Sequence, residues 1–156
     1  MVDVHFHGCV GYDFCDGTEE AIAEIAKYEA AQGVTTIVPA TMTLPEATLL
    51  EIAKVAGNYK GTEGADLAGI NMEGPFISPG KKGAQALTHI VKPDIAMFQR
   101  LQEAANGLFC LVDIAPEEEG AMEFIAALKD EVNISFAHTL ADYDTAKKGY
   151  DLGANH

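Results

Sequence analysis

Basic residues are scarce. Lys and Arg number 10 against 24 Asp and Glu, a formal net charge of −14 over 156 residues. Nucleic acid and anionic membrane surfaces both call for a basic face, so neither is expected as a partner. An anionic substrate would have to be drawn in by local groups against the field of the whole molecule. Long apolar runs are missing, as is a charged-then-apolar leader, so neither a membrane span nor a secretory signal is read. Cysteine is sparse and odd in number, and Cys9, Cys15 and Cys110 cannot all pair. Cys110 sits in an apolar run and reads as a small buried hydrophobe. Cys9 and Cys15 flank a glycine-rich loop, from which they could join a metal. A reducing cytoplasm is the simpler reading. Internal repeats, low-complexity stretches and linkers are absent.

What is present is the composition of a soluble globular domain, 48% apolar and 22% charged, in a chain long enough to bury a core. Strand-like runs at 2–6, 34–38, 66–72, 108–114 and 132–137 are each followed by a segment of helical period. Asp16 or Thr18 caps the first helix, with Ile22, Ile25, Ala26 and Ala30 inward and Gly33 ending it. Pro45 opens a second helix, with Leu49, Ile52, Ala53 and Ala56 inward, and Pro93 a third, with Met97, Leu101 and Ala104 inward. A fourth runs from about Glu118 to Lys129 on Met122, Ile125 and Leu128, and a fifth from about Asp142 to Leu152, stopped by Gly153. Such alternation implies parallel βαβ units. Only the segment from Glu73 to Lys92 breaks the rhythm, and loops of that length are usually functional or flexible.

The chemistry gathers at strand ends. In Val2-Asp3-Val4-His5-Phe6-His7-Gly8 the two histidines are separated by one residue, so both imidazoles leave one face of a strand. Two neutral imidazoles there can grip a divalent ion at about 2.0–2.1 Å. Glu73 ends the third predicted strand and His138 the fifth. In a parallel barrel such ends meet around one mouth, making neighbours of residues distant in sequence. A lone histidine at a strand end is more often structural; the pair, the carboxylate and the third imidazole together point to a metal site. Asp113, on the fourth predicted strand, reads as a barrel-mouth residue or an extra ligand.

Phe6-His7-Gly8, Glu73-Gly74-Pro75-Phe76, Lys82-Gly83-Ala84, Ala115-Pro116-Glu117 and Ala137-His138-Thr139 occur in that order. Together they resemble the N-acetylglucosamine-6-phosphate deacetylase family of the amidohydrolase superfamily, across essentially the whole chain. The resemblance implies an α/β fold, a partial (β/α)₈ TIM barrel of the metal-dependent hydrolase type with about five to six βα units. It implies hydrolysis of the acetamide of N-acetylglucosamine 6-phosphate to glucosamine 6-phosphate and acetate, and one or two divalent ions, zinc or iron. By that resemblance Glu73 and His138 are metal ligands, His5 and His7 hold a second ion, and Ala84 and Gln85 touch the sugar. Gln85 stands where many members have histidine, and Val112-Asp113-Ile114 replaces a threonine-containing version. The fourth strand lacks the lysine that bridges two metals in many superfamily relatives, which favours Glu73 as the bridge.

A complete barrel needs about 250 residues. The family's small β-domain, its remaining barrel strands, its last metal-binding histidine and its general acid/base aspartate are expected outside these 156 residues, with His156 a neighbour of the missing ligand position. The full-length protein is expected to be a homo-oligomer, and open strand edges favour self-association. Competing readings are another amidohydrolase, such as a cyclic amidase, and a non-catalytic metal-binding or interaction module. The isolated chain is therefore expected to release little or no acetate from N-acetylglucosamine 6-phosphate in the presence of metal. Turnover near that of a full-length relative in the same assay would contradict this.

Overall fold

The computed structural model describes residues 1–156. After β1 (Val2–Asp3) comes a short antiparallel hairpin, β2 (Gly8–Cys9) with β3 (Tyr12–Asp13). The later strands, β4 (Thr36–Ile37), β5 (Asp66–Leu67), β6 (Ile70–Glu73), β7 (Phe109–Ile114) and β8 (Asn133–Phe136), are all parallel to their neighbours. They form two three-stranded sheets, β1-β4-β5 and β6-β7-β8. A parallel bridge between Ala40 and Asn71 stitches the sheets together. There the Thr41 amide donates to the Asn71 carbonyl at 2.9 Å, and the Asn71 amide to the Pro39 carbonyl at 2.9 Å. Spatial neighbours are therefore neighbours in sequence. At the far edge the last residues run beside β8, with the Phe136 amide donating to the His156 carbonyl and the His156 amide to that of Ile134.

Helices α1 (Glu19–Ala31), α2 (Glu46–Asn58), α3 (Ile95–Ala104), α4 (Ala121–Leu128) and α5 (Tyr143–Leu152) complete the α/β alternation. Side-chain caps set three of the starts: Thr18, Asp94 and Asp142 accept from the amides of Ala21, Met97 and Thr145 at 3.1, 3.0 and 2.9 Å. Pro45 and Pro93 lie just ahead of their helices rather than inside them. The fourth helix starts later than predicted, because Gly120, at φ 93°, breaks the run and leaves Glu118 in a turn. No helix is long and apolar enough to cross a membrane.

Three inward positions differ from the sequence reading. In α1, Glu29 is buried and Ala30 exposed. Seven residues make nearly two whole turns, so Glu29 falls above Ile22, and Ala30 lies about 100° further round. In α3, Phe98 is buried, as is Ala105 just past its end, while Ala104 is only partly so; in α4, Phe124 is buried and Met122 only partly so.

The core lies between the sheets and the helix layer, and its aromatic centre is edge-to-face. Phe124 of α4 packs against Phe76 at 5.3 Å and Phe98 at 5.8 Å between ring centroids, and Phe98 meets Phe109 at 6.3 Å. Phe124 thus ties α4 to α3 and to the segment following β6. Truncation by Phe124→Ala is expected to cost about 3–5 kcal/mol, read as a lowered midpoint in urea unfolding.

Candidate metal centre

Each side chain of the centre is delivered by the end of an extended segment. The stretch after β1 stays beside the β4 segment, with the Val38 amide donating to the Asp3 carbonyl and the Ala40 amide to that of Phe6, both at 2.8 Å. Extended backbone keeps His5 and His7 on one face, their rings edge-on at 5.5 Å and 82°. Both address the same oxygen of Glu73, the last residue of β6. His7 Nε2 lies 2.9 Å and His5 Nε2 3.6 Å from Glu73 Oε2. His138, just after β8, places Nε2 2.7 Å from the other oxygen, Oε1. All four residues singled out as ligands therefore converge, and Glu73 stands between two groups of imidazoles. One ligand atom each from His5, His7 and Glu73 lies within 4.8 Å of the others, a set that could hold a divalent ion. His138 sits on the opposite side of the carboxylate.

Backbone carbonyls fix two of the rings. His7 Nδ1 lies 3.2 Å from the Ala40 carbonyl and His138 Nδ1 2.9 Å from that of Lys81. A carbonyl only accepts, so Nδ1 carries a proton in both, and in the neutral ring the Nε2 lone pair faces Glu73, as a metal ligand requires. His138 holds a left-handed backbone, φ 49°, which is unfavourable for a non-glycine residue. Its neighbours compensate. The Ser78 amide donates to the His138 carbonyl at 3.0 Å. Glu117 accepts from the Leu140 amide at 2.5 Å and from the Thr139 hydroxyl.

The long loop after Glu73 is packed rather than loose. Phe76, Ile77 and Ser78 are buried, and the Ala115 amide donates to the Phe76 carbonyl at 3.0 Å. Gly74 leads into a cis Gly74-Pro75 bond at φ 72°, and a Cβ there would lie 2.0 Å from Thr43 Oγ1. Only glycine permits that approach. Gln85, expected at the sugar, is buried with its side chain otherwise engaged. Its Oε1 accepts from the Thr43 amide at 2.7 Å and its Nε2 reaches Met42 Sδ at 3.7 Å, joining two loops. Ala84 is exposed beside it. Cys9 and Cys15 are free thiols outside the ligand group, and burial pushes the Cys15 thiol up to about 12.

Burial opposes ionisation of Glu73, but the imidazoles of His7 and His138 beside it outweigh it and hold the carboxyl down at about 2. The Glu73 carboxylate beside it raises His7 against the effect of burial. At His138 burial again opposes the charge, and the Lys81 carbonyl and Glu73 together prevail and raise it. Sequence reasoning missed the anchoring carbonyls of Ala40 and Lys81, which carry no residue-type signature, and quoted Glu117 within a motif without assigning its grip on the turn.

No family model matches the chain. The N-acetylglucosamine-6-phosphate deacetylase of Bacillus subtilis (strain 168) is 35% identical over 162 residues, covering 100% of this chain and 41% of that protein. The N-acetylgalactosamine-6-phosphate deacetylase of Escherichia coli O157:H7 is 30% identical, covering 99% and 42%. Among solved structures, N-acetyl-D-glucosamine-6-phosphate deacetylase from Mycobacterium smegmatis superposes with a TM-score of 0.90 at 30% identity, over 99% of this chain and 40% of that one. A mutant of the same enzyme, solved in complex with N-acetyl-D-glucosamine-6-phosphate, gives the same score. The chain thus spans about 40% of the length of the relatives it matches.

Protons and a cation compete for this centre. The raised His7 and His138 contribute stability that is complete below their ordinary 6.5 and lost as pH rises through their folded values. The contribution of Glu73 is present above 4.5 and lost only as pH falls through about 2. The metal-free chain is therefore expected to be most stable between 4.5 and 6.5 as far as this cluster is concerned, and to weaken above that. Zinc affinity should rise by about tenfold or more from pH 6 to pH 8 with release of protons, measured by calorimetry in buffers of different ionisation enthalpy.

Proposed function

From similarity to the N-acetylglucosamine-6-phosphate deacetylase family along the entire chain, we propose that these residues form the metal-holding part of a deacetylase. Its substrate is N-acetylglucosamine 6-phosphate, converted to glucosamine 6-phosphate and acetate. The observation that carries this reading is the division of the Glu73 carboxylate, with Oε2 toward His5 and His7 and Oε1 toward His138. Such a carboxylate suits a bridging role between two ions, with His5 and His7 serving one and His138 the other. The donor set of imidazole and carboxylate suits zinc or iron. Parallel strands in sequence order, helices between them and chemistry at the strands' C-terminal ends support residues 1–156 as part of a (β/α)₈ barrel of the amidohydrolase type.

A divalent ion held by His5, His7, Glu73 and His138 would supply Lewis acidity here, lowering the pKa of water and polarising the acetamide oxygen. The protein's own contribution is orientation. Ala40 and Lys81 aim two imidazoles, and Glu73 supplies a charge that is already ionised at any physiological pH. The backbone around exposed Ala84 offers sugar contacts at the rim, while Gln85 braces that loop from beneath. Lys82 Nζ donates to the carbonyls of Gly83 and Gln85 at 3.2 Å, fixing the loop's shape rather than presenting a free cation.

Protein produced from its complete coding sequence should release acetate from N-acetylglucosamine 6-phosphate faster than from the galactosamine epimer. Glu73→Gln should lower turnover by about a thousandfold, since lost metal polarisation is worth several kcal/mol at 1.36 kcal/mol per tenfold. Preferential hydrolysis of a cyclic amide, or undiminished acetate release by the variant, would overturn the assignment.

A further inference from the structure

Of the three imidazoles facing Glu73, His5 alone lacks an acceptor for Nδ1. Its hydrogen-bond neighbour at Nδ1 is Asn71 Nδ2, a donor, at 3.1 Å. Donation from Asn71 leaves the His5 proton on Nε2, the nitrogen turned toward Glu73, and a nitrogen so protonated cannot ligate. The other neighbour is Asp113 Oδ2, 3.9 Å from His5 Nδ1, buried and without a hydrogen-bond partner.

Asp113 is built into this place. Parallel register sets it beside Glu73 on one side and Ser135 on the other, so the three share one level and one face of the β6-β7-β8 sheet. Asp113 is only 3% exposed, with Ser135 as its register neighbour on β8. A buried carboxylate oxygen with no donor is unfavourable and favours any arrangement that supplies one. His5, with a side chain 47% exposed, has room for the shift of about 1 Å that brings Nδ1–H into hydrogen-bond range.

We propose that Asp113 is the positioning residue of His5: Oδ2 accepts the Nδ1 proton, so that the Nε2 lone pair lines up with His7 and Glu73 as a ligand. This rests on the reading of His5, His7 and Glu73 as a metal site. His5 then becomes the one ligand whose tautomer is set by a charged side chain, where His7 and His138 use backbone carbonyls.

The test compares the unsubstituted chain with Asp113→Asn, which keeps an oxygen acceptor, and Asp113→Leu, which removes it. Zinc affinity is measured by calorimetry, and the His5 tautomer by long-range ¹H–¹⁵N spectra of histidine-labelled protein. The zinc-loaded parent should carry its His5 proton on Nδ1. Asp113→Leu should lose that signature and bind zinc at the His5/His7 site about 10–100-fold more weakly, with Asp113→Asn in between. Unchanged affinity and tautomer in a folded Asp113→Leu overturns the inference while leaving the metal site standing. A loss that follows Asn71→Leu but not Asp113→Leu also overturns it, transferring the role to the amide. Failure of the parent to bind zinc overturns the metal-site reading itself and this inference with it. Should Asp113→Leu not fold, Asp113→Ala serves the same comparison.

Discussion

The Glu73 carboxylate must satisfy two oxygens below the surface with partners that arrive from separate lengths of chain. Oε2 faces the segment after β1 and Oε1 the residue after β8, so one side chain ties the first parallel strand to the last. Its burial would be costly were both oxygens left to a dry interior. The His138 hydrogen bond removes that cost at Oε1, while Oε2 has imidazoles near it but no hydrogen-bond partner, and the nearby rings are groups suited to exchange a proton for a metal. The order of the strands, the packed loop that follows β6 and the turn held by Glu117 all act to deliver those rings to one point.

Precision in the centre comes from layers of support that differ in kind. His7 and His138 lean on main-chain carbonyls, which move only if the sheet or the long loop moves. His138 also keeps a left-handed backbone, tolerated because Ser78 and Glu117 hold the turn around it. His5 rests instead on the buried polar row of Asn71 and Asp113. The long loop is therefore as much a part of the centre as the strands, since Lys81 orients a ligand while Gln85 clamps the same loop to Thr43.

Most of this was legible in residue order. Alternation of strand and helix, Thr18 as one of two candidate caps of α1, the start of α5 near Asp142, and the pairing of His5 with His7 all follow from spacing and side-chain type. What was hidden has physical reasons. Main-chain carbonyls are identical at every residue, so Ala40 and Lys81 could not be told from their neighbours. The hairpin of β2 and β3 turns at Val10 and Gly11 with φ of 47° and 89°, and valine at a left-handed position defeats the usual turn signal. Gln85 was placed at the sugar by the family resemblance, and neither its burial nor its hold on the Thr43 amide is visible in residue order. In α1 the misplacement of Ala30 for Glu29 shows that an apolar residue next to a stripe is easily mistaken for part of it.

The partition of Glu73 also bears on when a metal could be acquired. His5, Glu73 and His138 lie on segments that meet only after every intervening strand has docked, and no two of the ligating stretches are joined by a local turn. A growing polypeptide that has made only its earliest elements would hold an isolated pair of imidazoles with no shared anion between them. Tight capture would then be the last act of assembly rather than its seed, in contrast to small zinc modules in which the ion organises an otherwise shapeless peptide.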